Sequence, residues 1–415
     1  MQSKDDNMYK VSLSSGRNFV VLISIVLVLL PLSLPVGNIG DKPIDLTYSD
    51  LLLAISFIYF LFVGKFLASR NERKLLSISV FTFSFIVFLG GIGSILKEGD
   101  ILPFLSSIRF AKHILFVFSA FLIYKLYRPS LDTLITYTGY VSLWLVVVLF
   151  LSDVFFNPQF PSSRWGGVFL GFETYGFPNS IAVFYSFYIC FILILLFSKK
   201  RMLIIPILLL ILGIIFFTFS RSGWVTALIV LLPVMIYSSL KSKRLIFINI
   251  SLLVFLVVCI SFFFDKLFPI IEPWMYKVDT ITGKDITVSG RDLIWNEAIK
   301  LIYDQPLFGY LFFPFSNYVS GYDTPHQQYL EILYKMGLVG FSFYFLYLFY
   351  LYLVFAKAGW SGNLLRKVVV TSVSLLTLGI MITNFGQPNL SFSLLSNAYI
   401  FFLSLYYFVF LGELN

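Results

Sequence analysis

Long uninterrupted apolar runs constrain this chain more than any other feature. The stretches 75–96 and 395–412 carry no charge at all, and 134–156 carries one, Asp153. A hydrocarbon core about 30 Å thick is crossed by a helix of roughly 20 apolar residues. Only helices and closed barrels satisfy their own backbone there, and the short alternating segments of a membrane barrel are missing. Composition agrees: 59% of the 415 residues are hydrophobic, 49 are Phe, and 12% are charged, against about 25% charged in a soluble domain. The sequence predicts an all-α, polytopic membrane protein.

Scanning on that length gives about twelve transmembrane helices. They fall near 19–36, 46–68, 75–96, 103–127, 134–156, 178–198, 201–219, 222–240, 245–264, 337–356, 366–384 and 395–412. Lys4, Lys10 and Arg17 precede the first run, as in a secretory leader. The run is too long for a leader core, holds Pro31 and Pro35, and shows no small-x-small cleavage site, so a retained first span is expected. Cys190 and Cys259 fall inside apolar runs, with no Cys/His spacing for a disulfide framework or a metal site.

The formal charge of +9 does not mark a nucleic-acid binder. Its basic residues lie in short clusters between apolar runs rather than on one face of a domain. Arg70, Arg73 and Lys74 follow span two, and Lys125 and Arg128 follow span four. Lys199, Lys200 and Arg201 follow span six, Lys241, Lys243 and Arg244 follow span eight, and Lys357, Arg366 and Lys367 separate spans ten and eleven. The positive-inside rule then puts both termini in the cytoplasm. Residues 1–415 form one integral membrane domain. Within it, residues 265–336 are the one long hydrophilic stretch, an extracytoplasmic loop expected to contain short helices.

Basic residues outside the membrane need a reason. Arg221, in Ser220-Arg221-Ser222, sits at a sharp outer turn where span eight begins. The positive end of a helix dipole disfavours its charge unless an anion is shared, and free N–H groups beside an arginine suit a diphosphate. The plainer reading is an arginine reaching the interface. Ser289-Gly290-Arg291-Asp292 precedes Trp295, Ala298, Ile299 and Ile302. That stripe predicts an amphipathic helix from near Ser289 to before Pro306. Arg291 lies in its first turn, as an anion ligand or a solvated arginine.

Thr324-Pro325-His326-Gln327 predicts another start, with Thr324 as cap, Pro325 first in the helix and Gln327 completing a capping box. Gly337 then ends the helix. His326 would occupy the first turn, where the dipole disfavours imidazolium, leaving a neutral imidazole able to accept a proton. A structural histidine is the alternative. Arg109 and Lys112 lie about two turns into span four, where charge is costly, so they pair internally or face a polar cavity. His113 beside them reads as a packed residue. There is no Walker loop, no kinase set and no outward acid cluster spaced for a divalent metal.

The ordered motifs resemble the O-antigen ligase and polysaccharide polymerase superfamily of bacterial envelopes. They are Arg164…Gly167-Val168-Phe169, Pro178-Asn179, Ser220-Arg221-Ser222 and Ser289-Gly290-Arg291…Trp295. Pro306-Leu307-Phe308-Gly309, His326-Gln327-Gln328-Tyr329-Leu330 and Gly337-Leu338-Val339-Gly340 follow. Together they cover about residues 160–345. Two positions depart from the family pattern: Gln327 stands for the usual Asn, and Tyr310-Leu311 for a second glycine.

The resemblance implies a metal-independent, inverting glycosyl transfer with no cofactor, at the outer face of the bacterial cytoplasmic membrane. The donor would be a glycan on undecaprenyl diphosphate; the acceptor would be another glycan or a lipid. Arg221 and Arg291 would hold the diphosphate, and His326 would deprotonate or orient the acceptor hydroxyl. Arg164 and Arg109 would line the cavity, with Lys112, Asn179 and Gln327 completing the substrate-binding set. Ligase and polymerase share these motifs. A transporter or flippase of lipid-linked sugar stays open, although no repeat relates the two halves of the chain. A scaffold in a synthesis complex is a third class, and it would tolerate loss of both Arg221 and Arg291.

Overall fold

The computed structural model describes residues 18–39, 42–64, 68–156, 168–169, 172–173, 178–199, 208, 211–215, 218, 220, 222–231, 291–386, 390 and 394–413. Among these residues, seven helices are long and apolar enough to cross a membrane. The expected spans 201–219 and 245–264, the second half of 222–240 and loop residues 265–290 lie largely or wholly outside the described residues.

The chain enters through α1 (Asn18–Leu29), shorter than the expected run 19–36. It stops ahead of Pro31, because proline removes a donor and disfavours helix in the residue before it. Ser33–Ile39 and Lys42–Thr47 pair instead as antiparallel strands β1 and β2, whose register shifts between Pro35 and Gly37. The first expected span is therefore cut short, and a hairpin takes its last four residues. The second span begins as α2 (Tyr48–Tyr59) and passes into a π-helical turn, Phe60–Gly64.

From there the apolar runs and the helices agree closely. They are α3 (Arg70–Leu96), α4 (Leu102–Ala111), α5 (Phe116–Tyr127), α6 (Leu131–Phe156) and α7 (Pro178–Lys199). A 3-10 turn at Lys112–Leu115 joins α4 to α5 within one crossing. Strands β3 (Val168–Phe169) and β4 (Phe172–Glu173) form a second small hairpin. Then come α8 (Ser222–Leu231), α9 (Arg291–Asp304), α10 (Gln328–Trp360), α11 (Leu364–Thr383) and α12 (Leu394–Gly412).

Two capping acids also serve the interior. Ser69 and Glu72 form a capping box on α3, and Glu72 pairs with Lys125 of α5 at 2.9 Å. At the start of α2, Asp50 accepts the Thr47 N–H at 2.9 Å and pairs with Lys112 at 2.8 Å. Each carboxylate satisfies a helix terminus and neutralises a lysine that apolar surroundings would otherwise penalise.

Burial follows the apolar pattern. Phe81, Phe88 and Ile95 of α3 and Leu346 and Phe349 of α10 are exposed, as a lipid-facing surface requires. By contrast, α7 is buried from Ile181 to Leu195, and α12 from Leu394 to Phe410. A helix apolar on every side belongs inside a bundle. α12 packs against α5 and α10.

Helix α10 has 33 residues, about 50 Å at 1.5 Å per residue, too long for a straight crossing. It breaks at Gly337 (φ 58, ψ −167), a conformation essentially confined to glycine. Gly337 was expected to end a helix; it instead joins a nine-residue piece, Gln328–Met336, to the crossing helix beyond it.

The segment after α9 plugs this break. Leu338 N–H donates to Pro306 O at 2.9 Å and Val339 N–H to Leu307 O at 3.1 Å. In return Tyr310 N–H donates to Tyr334 O at 2.7 Å and Phe312 N–H to Lys335 O at 3.2 Å. The backbone groups freed by the kink are thus satisfied. Pro306-Leu307-Phe308-Gly309 and Gly337-Leu338-Val339-Gly340 are two halves of one interlock.

Candidate functional site

Of the expected site residues, Arg291 reaches the turn that closes α11, residues Thr383 to Gly386, and His326 and Gln327 immediately precede Gln328, which reaches it too. Three elements reach this turn, and a fourth packs against the third. The first is α9, which ends at Asp304, before Pro306 as expected, with Arg291 as its first described residue. Its buried face is set by Ile294 and Ala298, with Leu301 and Ile302 packed beside them, while Ile299 turns outward. The expected stripe is therefore rotated slightly. From the first turn, Arg291 Nη1 donates to Gly386 O at 2.6 Å.

The second element is the start of α10, and it corrects the sequence reading. The helix begins at Gln328, and Gln327, not Thr324, is its cap, accepting the Leu330 N–H through its side chain. His326 therefore precedes the cap rather than lying in the first turn, and its backbone is left-handed (φ 55). Thr324 closes a smaller loop, its Oγ1 accepting the His326 N–H at 3.3 Å and lying 3.4 Å from Nδ1. The physical reason is tertiary: Trp295 Nε1 bonds Pro325 O and Gln328 N–H bonds Asn384 O, which hold the residues between them out of the helix. The imidazole is exposed. Directly behind it, Gln328 N–H donates to Asn384 O at 3.0 Å and Gln328 Oε1 accepts from Leu390 N–H at 2.7 Å.

Arg291 and His326 are also joined from the other side. One turn along α9, Trp295 Nε1 donates to Pro325 O at 3.1 Å. The same helix therefore carries Arg291 to the α11 turn and holds the residue before His326.

The third element is α8. Ser220 caps it, accepting the Gly223 N–H at 3.3 Å, and its Oγ lies 3.0 Å from Ser222 Oγ. Thr226, one turn in, donates to Thr383 Oγ1 at 3.4 Å. A Cβ at Gly379 would fall 2.8 Å from the Thr226 side chain, so α8 and α11 touch closely. Arg221 lies outside the described residues, between Ser220 and Ser222. The fourth element is the start of α7: a Cβ at Gly223 would lie 2.5 Å from that of Ala182, one turn from Asn179. Arg164 lies outside the described residues.

Arg109 and Lys112 part company. Lys112 is bound through both Asp50 oxygens at 2.8 and 2.9 Å, the internal pairing that the sequence left open. Exposed Arg109 is an electrostatic neighbour of Lys335, which is paired to buried Glu331 on the short half of α10. His113 is packed as expected, fully buried with Nε2 2.9 Å from Tyr344 Oη.

Sequence reasoning missed Asn384, Gly386 and the anchoring role of Trp295. An Asn-x-Gly at the end of an apolar run reads as an ordinary helix stop, and nothing local shows which distant residues meet it.

These residues define a polytopic helical membrane protein with a polar, cation-bearing turn cluster where several helices end together. Residues 206–345 match the family model described as O-Antigen ligase. That match takes in Ser220, α8, α9, His326 and the Gly337 break, and it supports the O-antigen ligase and polymerase superfamily that the motifs resemble. No curated protein matches the chain.

Proposed function

We propose that the chain is a glycosyltransferase of the O-antigen ligase and polymerase type. It moves a glycan from undecaprenyl diphosphate to a hydroxyl acceptor at the outer face of the bacterial cytoplasmic membrane. The observation that carries this reading is the convergence on one turn: Arg291 on Gly386, Gln328 on Asn384 and Thr226 on Thr383. In this reading Arg291 serves the anionic leaving group and His326, two residues before Gln328, serves the acceptor from the same neighbourhood.

The reaction balances simply. His326 takes the proton of the acceptor hydroxyl as its oxygen attacks the anomeric carbon. The bond from that carbon to the phosphate oxygen breaks, and undecaprenyl diphosphate leaves with the electron pair. Arg291, with Arg221 beside Ser222 in sequence, stabilises that charge, so the step requires no metal. Attack opposite the leaving group inverts the anomeric centre. Holding both reactants at one rim supplies the proximity such a transfer needs.

Purified protein in nanodiscs, given lipid-linked repeat alone, tests this. A ladder of lengthening products identifies a polymerase, and product only on adding a second acceptor identifies a ligase. His326→Ala should abolish either while the protein still folds. Arg291→Lys should lose most activity, since lysine keeps charge without the planar fork.

The charged groups Asp50, Lys112, Glu331 and Lys335 within helical segments favour a flippase as the second reading. In that case His326→Ala would still move the lipid across the bilayer with its glycan unchanged.

A further inference from the structure

We propose that Asn384 binds a hydroxyl or acetamido group on the first sugar of the lipid-linked donor. This rests on the glycosyltransferase reading above. Asn384 is 0% exposed, and neither its Oδ1 nor its Nδ2 has a hydrogen-bond partner. A buried carboxamide left open at both ends is unfavourable, and an apolar side chain of the same shape would remove the cost. The neighbouring groups are engaged elsewhere. The Tyr329 hydroxyl donates to Met381 O at 2.6 Å, and its oxygen interacts with the Asn384 side chain without reaching hydrogen-bonding geometry. The backbone oxygen of Asn384 itself is taken by Gln328 N–H.

The chemistry of the open atoms selects the ligand. Nδ2 donates and Oδ1 accepts. A phosphate offers only acceptors and would leave Oδ1 unmet. A sugar hydroxyl does both, and an acetamido group pairs with a carboxamide atom for atom. Position agrees, because Gly386, two residues further along the turn, holds Arg291. Diphosphate at the guanidinium puts the first sugar next to Asn384. Arg291 holds the turn through the Gly386 carbonyl, so a diphosphate that recruits the guanidinium releases the turn and lets the sugar in.

The test compares two probes on the full chain in nanodiscs: undecaprenyl diphosphate, and undecaprenyl diphosphate carrying N-acetylglucosamine. Wild type should bind the sugar-bearing lipid about tenfold more tightly, the equivalent of one or two net hydrogen bonds. Asn384→Leu should bind both at the affinity of the bare lipid, with its melting temperature unchanged or raised. If that variant melts lower than wild type, Asn384→Ala carries the same comparison.

A folded variant that keeps the sugar preference overturns the proposal, and so does a wild type without one. A carboxamide that serves only a bound water gives the former result. His326→Ala is the second arm and should keep the preference while losing transfer. Retained preference in Asn384→Leu beside active wild type removes this inference alone. A wild type that neither binds nor transfers removes the glycosyltransferase reading as well.

Discussion

Gly309 and Gly337 lie backbone to backbone: a Cβ on Gly309 would stand 2.6 Å from the Gly337 nitrogen. Both are left-handed, at φ 61 and φ 58. A Cβ on Gly337 would in turn come within 2.3 Å of the Leu307 carbonyl. Two motifs roughly thirty residues apart are therefore one structural device.

Gly337→Ala should break it. The strained backbone alone costs about 1–3 kcal/mol, and the collision forces the 306–309 segment out of the kink. Thermal unfolding in detergent should show a clear drop, with loss of glycan transfer. Gly213→Ala is the control, since a Cβ there meets nothing within 4 Å.

Trp295→Phe keeps an aromatic side chain, though a smaller one, and deletes the indole donor. Losing the bond to Pro325 O should cost about 0.5–1.5 kcal/mol of stability. Transfer should suffer more, because that bond holds the chain beside left-handed His326. Turnover should fall at nearly constant donor affinity. An affinity loss without a turnover loss would place Trp295 in binding instead.

Lys112 and Asp50 should behave as a couple. Lys112→Met leaves a carboxylate with only 12% side-chain exposure, and breaking such a pair costs about 3–5 kcal/mol. Adding Asp50→Asn should restore most of that loss and, with it, transfer. A double variant that folds well yet stays inactive would return Lys112 to the substrate-binding set.

The Asp100 carboxyl is held below its ordinary value, first by the Lys97 hydrogen bond and then by the Leu102 N–H. As pH falls, the unfolded chain takes up this proton first. The stabilisation is thus present above the ordinary carboxylate range and disappears as pH drops through the folded value. Acidification should loosen the start of α4, read as faster amide exchange at Leu102 relative to Ala111. Asp100→Asn should flatten that response.

Much of this was legible in the sequence. The runs 103–127 and 395–412 became Leu102–Tyr127 and Leu394–Gly412 almost residue for residue, because hydropathy is a local signal that lipid reads directly. The hairpin at Ser33–Thr47 was hidden, since β-rich apolar residues next to Pro35 score as membrane as well as strand. The cap at Gln327 was hidden for another reason. Thr324 and Gln327 satisfy the same local pattern, and the choice between them is made by Trp295 and Asn384. Asn384 itself gave no local cue. Its meaning lies in Arg291, ninety residues earlier, binding its neighbour Gly386.

Helix α12 packs against α5 and α10, and α6 and α7 also touch it, so these four partners leave the ribosome before it does. Until it arrives, those earlier helices stand around an unfilled seam. Ser396, Asn397 and Ser404 are buried on α12, side chains that would resist release into bare lipid. The bundle therefore closes from the rim inward, and a nascent chain halted before residue 394 should remain a target for membrane quality control.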